Sequence, residues 1–276
     1  MMLNQLIKVD ERQLTESSVL SELFIYQHKF EQITTIQALL KQVQQVVEAL
    51  HAGLLPPNLP WLEVDEAMVG EVQQVILKRY PTQPDLGNQA WQRSLDDLEA
   101  LDQWLHNFRD LLITNYQMYG YVSTPWLGAL QAYLGQRSTL ELMAGRGYLT
   151  AGLRALTPDV KHQAVDNLSW KNQPDVNVMP AVTEVEDLDA LQALAINAQQ
   201  SEVLLMSWAP DNATLDVEIL KWVRAHYAGE FLVIGEVNGA TNSAEFWQTA
   251  HLKPLKAINR KFPSFDLIDE KIYQVH

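Results

Sequence analysis

The sequence predicts an α/β fold, in which a parallel sheet covered by helices ends in an antiparallel strand pair and follows an all-helical region. Three observations predict it. Apolar residues recur every three or four positions through the first 115 or so residues, the period of a helix with one buried face. After about residue 120 short apolar runs alternate with helical patterns, the signature of β-α-β units and a parallel sheet. Near the end "LKPLKAINRKF" and "LIDEKIYQVH" read as two strands with no helix between them, which suits an antiparallel pair on the sheet edge.

The helical part divides into three. From Leu14 to Leu50, Val19, Leu23, Ile36, Leu40, Val43, Val47 and their neighbours make one long apolar face opposite Gln, Lys and Glu. "GLLPPNLPW" (53–61) interrupts it, because proline fixes φ and removes a backbone donor. "EVDEAMVGEVQQVILKRY" is a second helix, stopped by "PTQPDLGNQ", and residues 90–119 form a third, rich in Leu and Trp. Residues 1–115 are therefore expected as one region and 116–276 as another.

In the second region "TLELM" (139–143), "HQAV" (162–165), "EVLLMSW" (202–208) and "EFLVIGE" (230–236) are the strands. "YLTAGLRAL", "DLDALQALAINA" and "LDVEILKWVRAHY" are the helices between them.

Composition narrows the function. The chain has 276 residues, is 47% hydrophobic and carries a formal net charge of -14. An acidic surface repels phosphate backbones, so nucleic acid is not an expected partner. No run of 18 apolar residues occurs, so no membrane span is expected. The start lacks the pattern of a signal peptide. With no cysteine, disulfides, thiolate chemistry and Cys-based zinc sites are excluded, and a cytoplasmic location is expected. The seven histidines form no H-x-x-x-H or H-E-x-x-H pattern, and no G-x-S-x-G elbow or P-loop is present.

In an open α/β sheet, ligands bind beyond the C-terminal ends of the strands. The first such end, "ELMAGRGYL", has Gly145 and Gly147, which permit positive φ and let a ligand approach the backbone. An ordinary turn would use the same glycines. The second end carries Asp166, 19 positions after Gly147. There a carboxylate suits two ribose hydroxyls, and it equally suits a cap on the following turn. Glu184 and Glu186 are acceptors in "MPAVTEVEDLDAL", and they also fit the start of a helix.

The fourth end, "SWAP", puts Trp208 and Pro210 at the sheet edge. Trp208 is placed to stack on a flat group, and the carbonyls before Pro210 to accept from an amine; a core Trp and a helix-starting Pro are the alternatives. The fifth end offers Glu236 between Gly235 and Gly239 as a substrate ligand or base, or as a cap.

Taken in order, "YGYVSTPWLGAL", "ELMAGRGYL", "SWAP" and "GEVNGAT" resemble class I S-adenosylmethionine-dependent methyltransferases. More narrowly, they resemble a methyltransferase-like group with Y-x-(W/F)-x-x-P, E-I-G-A-G-T-G-Y-W, S-W-P-P and G-E-G-x-G-G segments. The resemblance covers about residues 116–276 and implies a Rossmann-like sheet holding S-adenosylmethionine. It implies that Glu141, Ala144, Gly145 and Gly147 line the methionine and ribose end, with Asp166 on the ribose. Tyr119 and Tyr121 would lie over the cofactor. Ser207 joins the cofactor set, and Trp208 and Pro210 border the methyl group with Glu236 nearby.

Three departures stand out: Met143 replaces a glycine, Ala209 replaces the first proline of S-W-P-P, and "VNGA" replaces a glycine-rich loop. The function implied is methyl transfer to a small molecule or protein, with the helical region as lid or homodimer contact. The alternative is a non-catalytic binding or scaffold protein on the same fold. A dinucleotide enzyme ranks last, because Thr150 stands where its third glycine belongs.

Overall fold

The computed structural model describes residues 18–172, 179–211 and 214–276. Seven strands form one sheet: β1 (Thr139–Leu142), β2 (His162–Asp166), β3 (Glu186–Asp187), β4 (Val203–Ser207), β5 (Glu230–Gly235), β6 (Leu252–Pro254) and β7 (Lys271–Val275). Their spatial order is β3-β2-β1-β4-β5-β7-β6. The first five run parallel, and β7 lies antiparallel between β5 and β6. The order reverses between β1 and β4, which places a topological switch point at their C-terminal ends.

Eleven helices are described: α1 (Ser18–Lys29), α2 (Thr34–His51), α3 (Glu66–Arg79), α4 (Pro84–His106), α5 (Phe108–Tyr116), α6 (Thr124–Leu134), α7 (Tyr148–Leu156), α8 (Ala190–Asn197), α9 (Leu215–His226), α10 (Ala244–Thr249) and α11 (Lys256–Asn259).

Successive strand residues face opposite sides, and both sides are apolar, as a doubly covered sheet requires. Leu204, Met206, Phe231 and Val233 join Leu140 and Leu142 in a core with α8, α9 and α10. Val203, Leu205, Leu232, Ile234 and Ile272 join a second core that continues without a break through α7, α6 and the N-terminal helices to Val19. The apolar face of α2, from Ile36 to Leu50, is consumed in that core.

Several sequence expectations need correction. The pattern read as one helix from 14 to 50 is two helices where it is described, with residues 14–17 outside the described part. The break is held from both sides. The Gln37 side chain donates to the carbonyls of Gln27 (2.7 Å) and Phe30 (3.0 Å) at the end of α1. The Glu71 carboxylate, from α3, accepts from the Thr34 and Thr35 amides at the start of α2. Those are groups a continuous helix would have bonded internally.

The 90–119 helix begins earlier, at Pro84, and is divided at Asn107 into α4 and α5. Pro84 occupies the first turn of α4, where proline is tolerated, so "PTQPDLGNQ" is only in part a stop. The terminal strand pair is antiparallel as expected, but one helical turn, α11, stands between its members. Asn259 at its end exchanges two hydrogen bonds with the Ile272 backbone of β7 (3.0 and 2.9 Å). The two-residue strand β3 was not expected.

Candidate functional site

A cavity of about 650 Å³ opens at the C-terminal ends of β1, β2 and β4, the position the switch point calls for. Glu141, Ala144, Gly145, Asp166, Ser207, Trp208, Pro210 and Tyr119 line it, among the residues named from sequence. Gly147, Tyr121 and Glu236 lie outside the lining.

The glycine loop shows why the two glycines differ. Gly145 has φ 55°, and a Cβ built on it meets nothing within 4 Å, so its open side is free space. Gly147 has φ 81° and caps α7, but a Cβ there would lie 2.8 Å from Val185 and 2.9 Å from Thr183. The space beside Gly147 is taken by the chain itself, so the close approach expected at both glycines is available only at Gly145.

Asp166 ties this loop to the end of β2. Its Oδ2 accepts from the Gly145 amide (2.8 Å) and its Oδ1 from the Leu168 amide (2.7 Å). The second bond is the turn cap weighed from sequence. Each carboxylate oxygen has a further lone pair, so capping and ligand binding are compatible.

Behind the loop, Glu141 is buried at the end of β1. It accepts from the Thr150 amide (3.1 Å), the Thr150 hydroxyl (2.5 Å) and the Ser207 hydroxyl (2.8 Å). Burial outweighs these bonds and pushes its pKa up to about 7. Ser207 thus serves Glu141 across the β1–β4 pair.

Met143, the departure from glycine, takes φ 58°, a left-handed conformation unusual for a side chain of its size. The backbone therefore turns as a glycine would. The thioether chain packs on the apolar cluster of α8 and α9 while bordering the cavity.

At the other end of the cavity, Trp208 also has positive φ, 49°. Its ring lies directly on Gly120, where a Cβ would come within 2.0 Å of it, and its indole N–H donates to Glu270 Oε1 (2.7 Å). The Ala209 carbonyl, expected to be available to an amine, accepts from the Asn242 amide (2.7 Å). Pro210 is bridged to Thr241.

Glu236 is a loop brace. Its carboxylate accepts from the Ala240 (2.8 Å) and Asp269 (2.9 Å) amides and covers Gly239. Tyr121 is buried, donates to the Pro57 carbonyl (2.6 Å) and packs edge-on against Phe265. Glu184 and Glu186 are exposed and outside the lining.

Three further lining residues were not singled out from sequence: Arg109, Glu270 and Arg146. Arg109, on α5, forks onto Asp266 (2.6 and 3.0 Å) and Glu270 (3.2 and 3.1 Å). Glu270 is buried; burial raises its pKa against the lowering influence of Arg109. Arg146, between the glycines, is buried and donates to the Tyr116 carbonyl at the end of α5 (2.5 Å), the Pro180 carbonyl (2.9 Å) and the Tyr148 hydroxyl (3.0 Å). The α5 terminus is the negative end of a helix dipole, which suits the guanidinium.

Among the described residues, no helix is long and apolar enough to cross a membrane and no acidic or histidine cluster is spaced to hold a metal.

No family model and no curated protein sequence matches the chain. Solved structures do match in part. Mitomycin 7-O-methyltransferase is 15% identical over 76% of this chain and 70% of that one, with a TM-score of 0.34. Human N-acetylserotonin methyltransferase, solved with S-adenosylmethionine, is 13% identical over 91% of this chain and 69% of that one, with a TM-score of 0.34. A fibrillarin/Nop5p complex is 15% identical over 55% and 82%, with a TM-score of 0.33. At TM-scores of this size, none of these likenesses decides what the chain does.

Proposed function

We propose that the protein is an S-adenosylmethionine-dependent methyltransferase acting on a small molecule or protein. The observation that carries this reading is the pairing, at one switch-point cavity, of the open side of Gly145 with the two oxygens of Asp166. A nucleoside-bearing ligand needs both: a bare backbone to lie against, and a bifunctional acceptor for adjacent hydroxyls.

The residues present fit the cofactor. Asp166 would hold the ribose hydroxyls, while Trp170, Leu188 and Ala190, which line the same cavity, would wall the base. Ala144 and Gly145 leave the methionine end open, and Glu141 with Ser207 stiffens the strand ends beneath it. When bound, the cofactor supplies a methyl group already activated by its sulfonium. The chain then has to position an acceptor against it, which is catalysis by proximity and orientation. Trp208, Pro210 and Tyr119 border the volume where an acceptor would sit. A base is required only for a nucleophile that is protonated at neutral pH.

The scaffold alternative expects N-terminal side chains to fill the space beside Trp208. Among the described residues, Arg109, Ile113 and Gln117 from the helical region share with Trp208 the lining of a cavity of about 650 Å³.

Isothermal titration tests the reading. The expected result is saturable binding of S-adenosylmethionine and of its demethylated product, weakened about tenfold or more by Asp166→Asn, the loss of a charge-assisted pair of hydrogen bonds. Absence of binding by the unaltered chain overturns it.

A further inference from the structure

We propose that Arg109 and Glu270 are positioning residues for Trp208, so that the N-terminal helices complete the acceptor end of the cavity rather than merely cover it. The part of this statement that concerns an acceptor rests on the methyltransferase reading; the holding of the ring does not.

Trp208 is not fixed by its own backbone. A tryptophan at φ 49° occupies a sparsely populated region and stays there only where surroundings impose it. The surroundings that impose it come from remote parts of the chain. Gly120 provides the floor: only a residue without Cβ leaves room for the ring. Trp126, fully buried on α6, meets the ring at a 6.1 Å centroid distance and a 60° tilt. The Trp208 amide donates to the Ile234 carbonyl of β5 (2.9 Å). Packing on Gly120 and Trp126 limits where the ring can go, and its polar contact among the described residues is the indole N–H on Glu270 (2.7 Å).

Glu270 holds that position only if its charge is supported. It is 5% exposed, and a buried carboxylate without a partner is costly. Arg109 supplies two of its nitrogens to Glu270 and two to Asp266. The planar fork matches carboxylate geometry in a way a lysine ammonium cannot. The Phe265 ring lies beneath the guanidinium at 4.7 Å, and Tyr119 leaves its carbonyl within 3.5 Å of it. The chain of contacts therefore runs from α5 through Arg109 and Glu270 to the ring that borders the acceptor space, and every member of it lines the same cavity.

The test reads the indole proton of Trp208 in the full chain, without any ligand, so its outcome is independent of cofactor binding. The chain has eight tryptophans; Trp208→Phe and Trp61→Phe assign two of the indole N–H signals in a proton–nitrogen spectrum. In the unaltered chain the Trp208 indole proton should exchange with solvent about tenfold or more slowly than that of exposed Trp61, as a hydrogen bond to a buried carboxylate implies. Exchange as fast as Trp61 overturns the proposal.

Glu270→Leu should remove that protection and shift the Trp208 signal, while Glu270→Gln, which keeps an acceptor oxygen, should retain most of it. Arg109→Lys should reduce the protection while leaving the indole signals of tryptophans remote from the cavity in place. Full protection in Glu270→Leu contradicts the role of Glu270, and full protection in Arg109→Lys contradicts that of Arg109. Where Glu270→Leu does not fold, the unaltered chain and Arg109→Lys decide the matter.

Discussion

The two ends of the cavity are built in different ways. At the glycine loop, the site is made of backbone and short side chains from two adjacent strands: Gly145 and Asp166 are joined by one hydrogen bond across neighbouring parallel strand ends. At the Trp208 end, the side chains that matter are 62 and 161 positions apart, in the pairs Trp208–Glu270 and Arg109–Glu270. The first end can form wherever a strand–loop–helix unit folds. The second exists only once α5, β4 and the segment before β7 have met. A binding end made locally and an orienting end made globally is an arrangement in which the two can be disrupted separately.

The largest expected effect lies at the global end. Arg109→Leu leaves the buried Glu270 and the mostly buried Asp266 without their cation, and breaking such a pair from one side costs about 3–5 kcal/mol. Urea unfolding should show that loss in the midpoint. A cost below about 1 kcal/mol, the range of an exposed pair, would show that the network holds little.

Protonation sharpens the local end. Glu141 has a folded pKa raised to about 7 from 4.5, so the folded state holds more protons than the unfolded one in that interval. Its contribution is full below about pH 4.5 and lost as pH rises through 7, a change of about 3 kcal/mol. His162 does the reverse. Its ring nitrogens lie 2.8 Å from the Thr139 and Thr157 hydroxyls. Because the Thr157 hydroxyl donates to the Leu153 carbonyl (2.9 Å), a neutral ring donates to Thr157 and accepts from Thr139, and burial lowers its pKa to about 4. Its contribution is present above about pH 6.5 and lost as pH falls through 4. Between about pH 4.5 and 6.5 the two offset each other. Glu141→Gln should unmask the His162 slope, so that stability climbs with pH across that window and exceeds the parent's most at pH 8. Thermal unfolding at pH 5 and pH 8 measures it; equal differences at both pH values would contradict the Glu141 assignment.

The glycines separate binding from stability. Gly145→Trp should abolish or cut S-adenosylmethionine affinity by about a hundredfold by filling the cavity, with a stability cost of only about 1–2 kcal/mol from its positive φ. Gly147→Ala should do the opposite. It meets Val185 and Thr183 and has the same backbone strain, so it should cost about 1–3 kcal/mol while changing affinity little. If both variants behave alike, the distinction between the two glycines fails.

The smallest effect is expected at Met143→Gly. Relief of the positive φ is offset by lost packing on the α8–α9 cluster, leaving a change within about 1 kcal/mol.

The same contrast explains what the sequence made legible. The strands from β1 to β5 other than β3, and the helices between them, follow from period and turn residues, because buried parallel strands are apolar on both faces. That Asp166 and Gly145 stand together at neighbouring strand ends was legible for the same local reason. Gly147 and Glu236 lie outside the lining, the first beside Val185 and Thr183 and the second bracing Ala240 and Asp269; nothing in a short motif says which neighbour occupies the space. Arg109 and Glu270 carry no local signal. Their meaning lies in a contact 161 positions long, and only the fold creates it. The breaks at 30–33 and Asn107 were hidden because apolar spacing continued through both; the first depends on Glu71, from another helix, to satisfy its amides.

The most direct test of the central claim is a crystal structure of the chain with S-adenosylhomocysteine. The expected result is the nucleoside over Gly145, with its ribose hydroxyls on Asp166 and its sulfur directed toward Trp208. Ligand bound elsewhere, or with Asp166 bonded only to the Gly145 and Leu168 amides, would contradict the account.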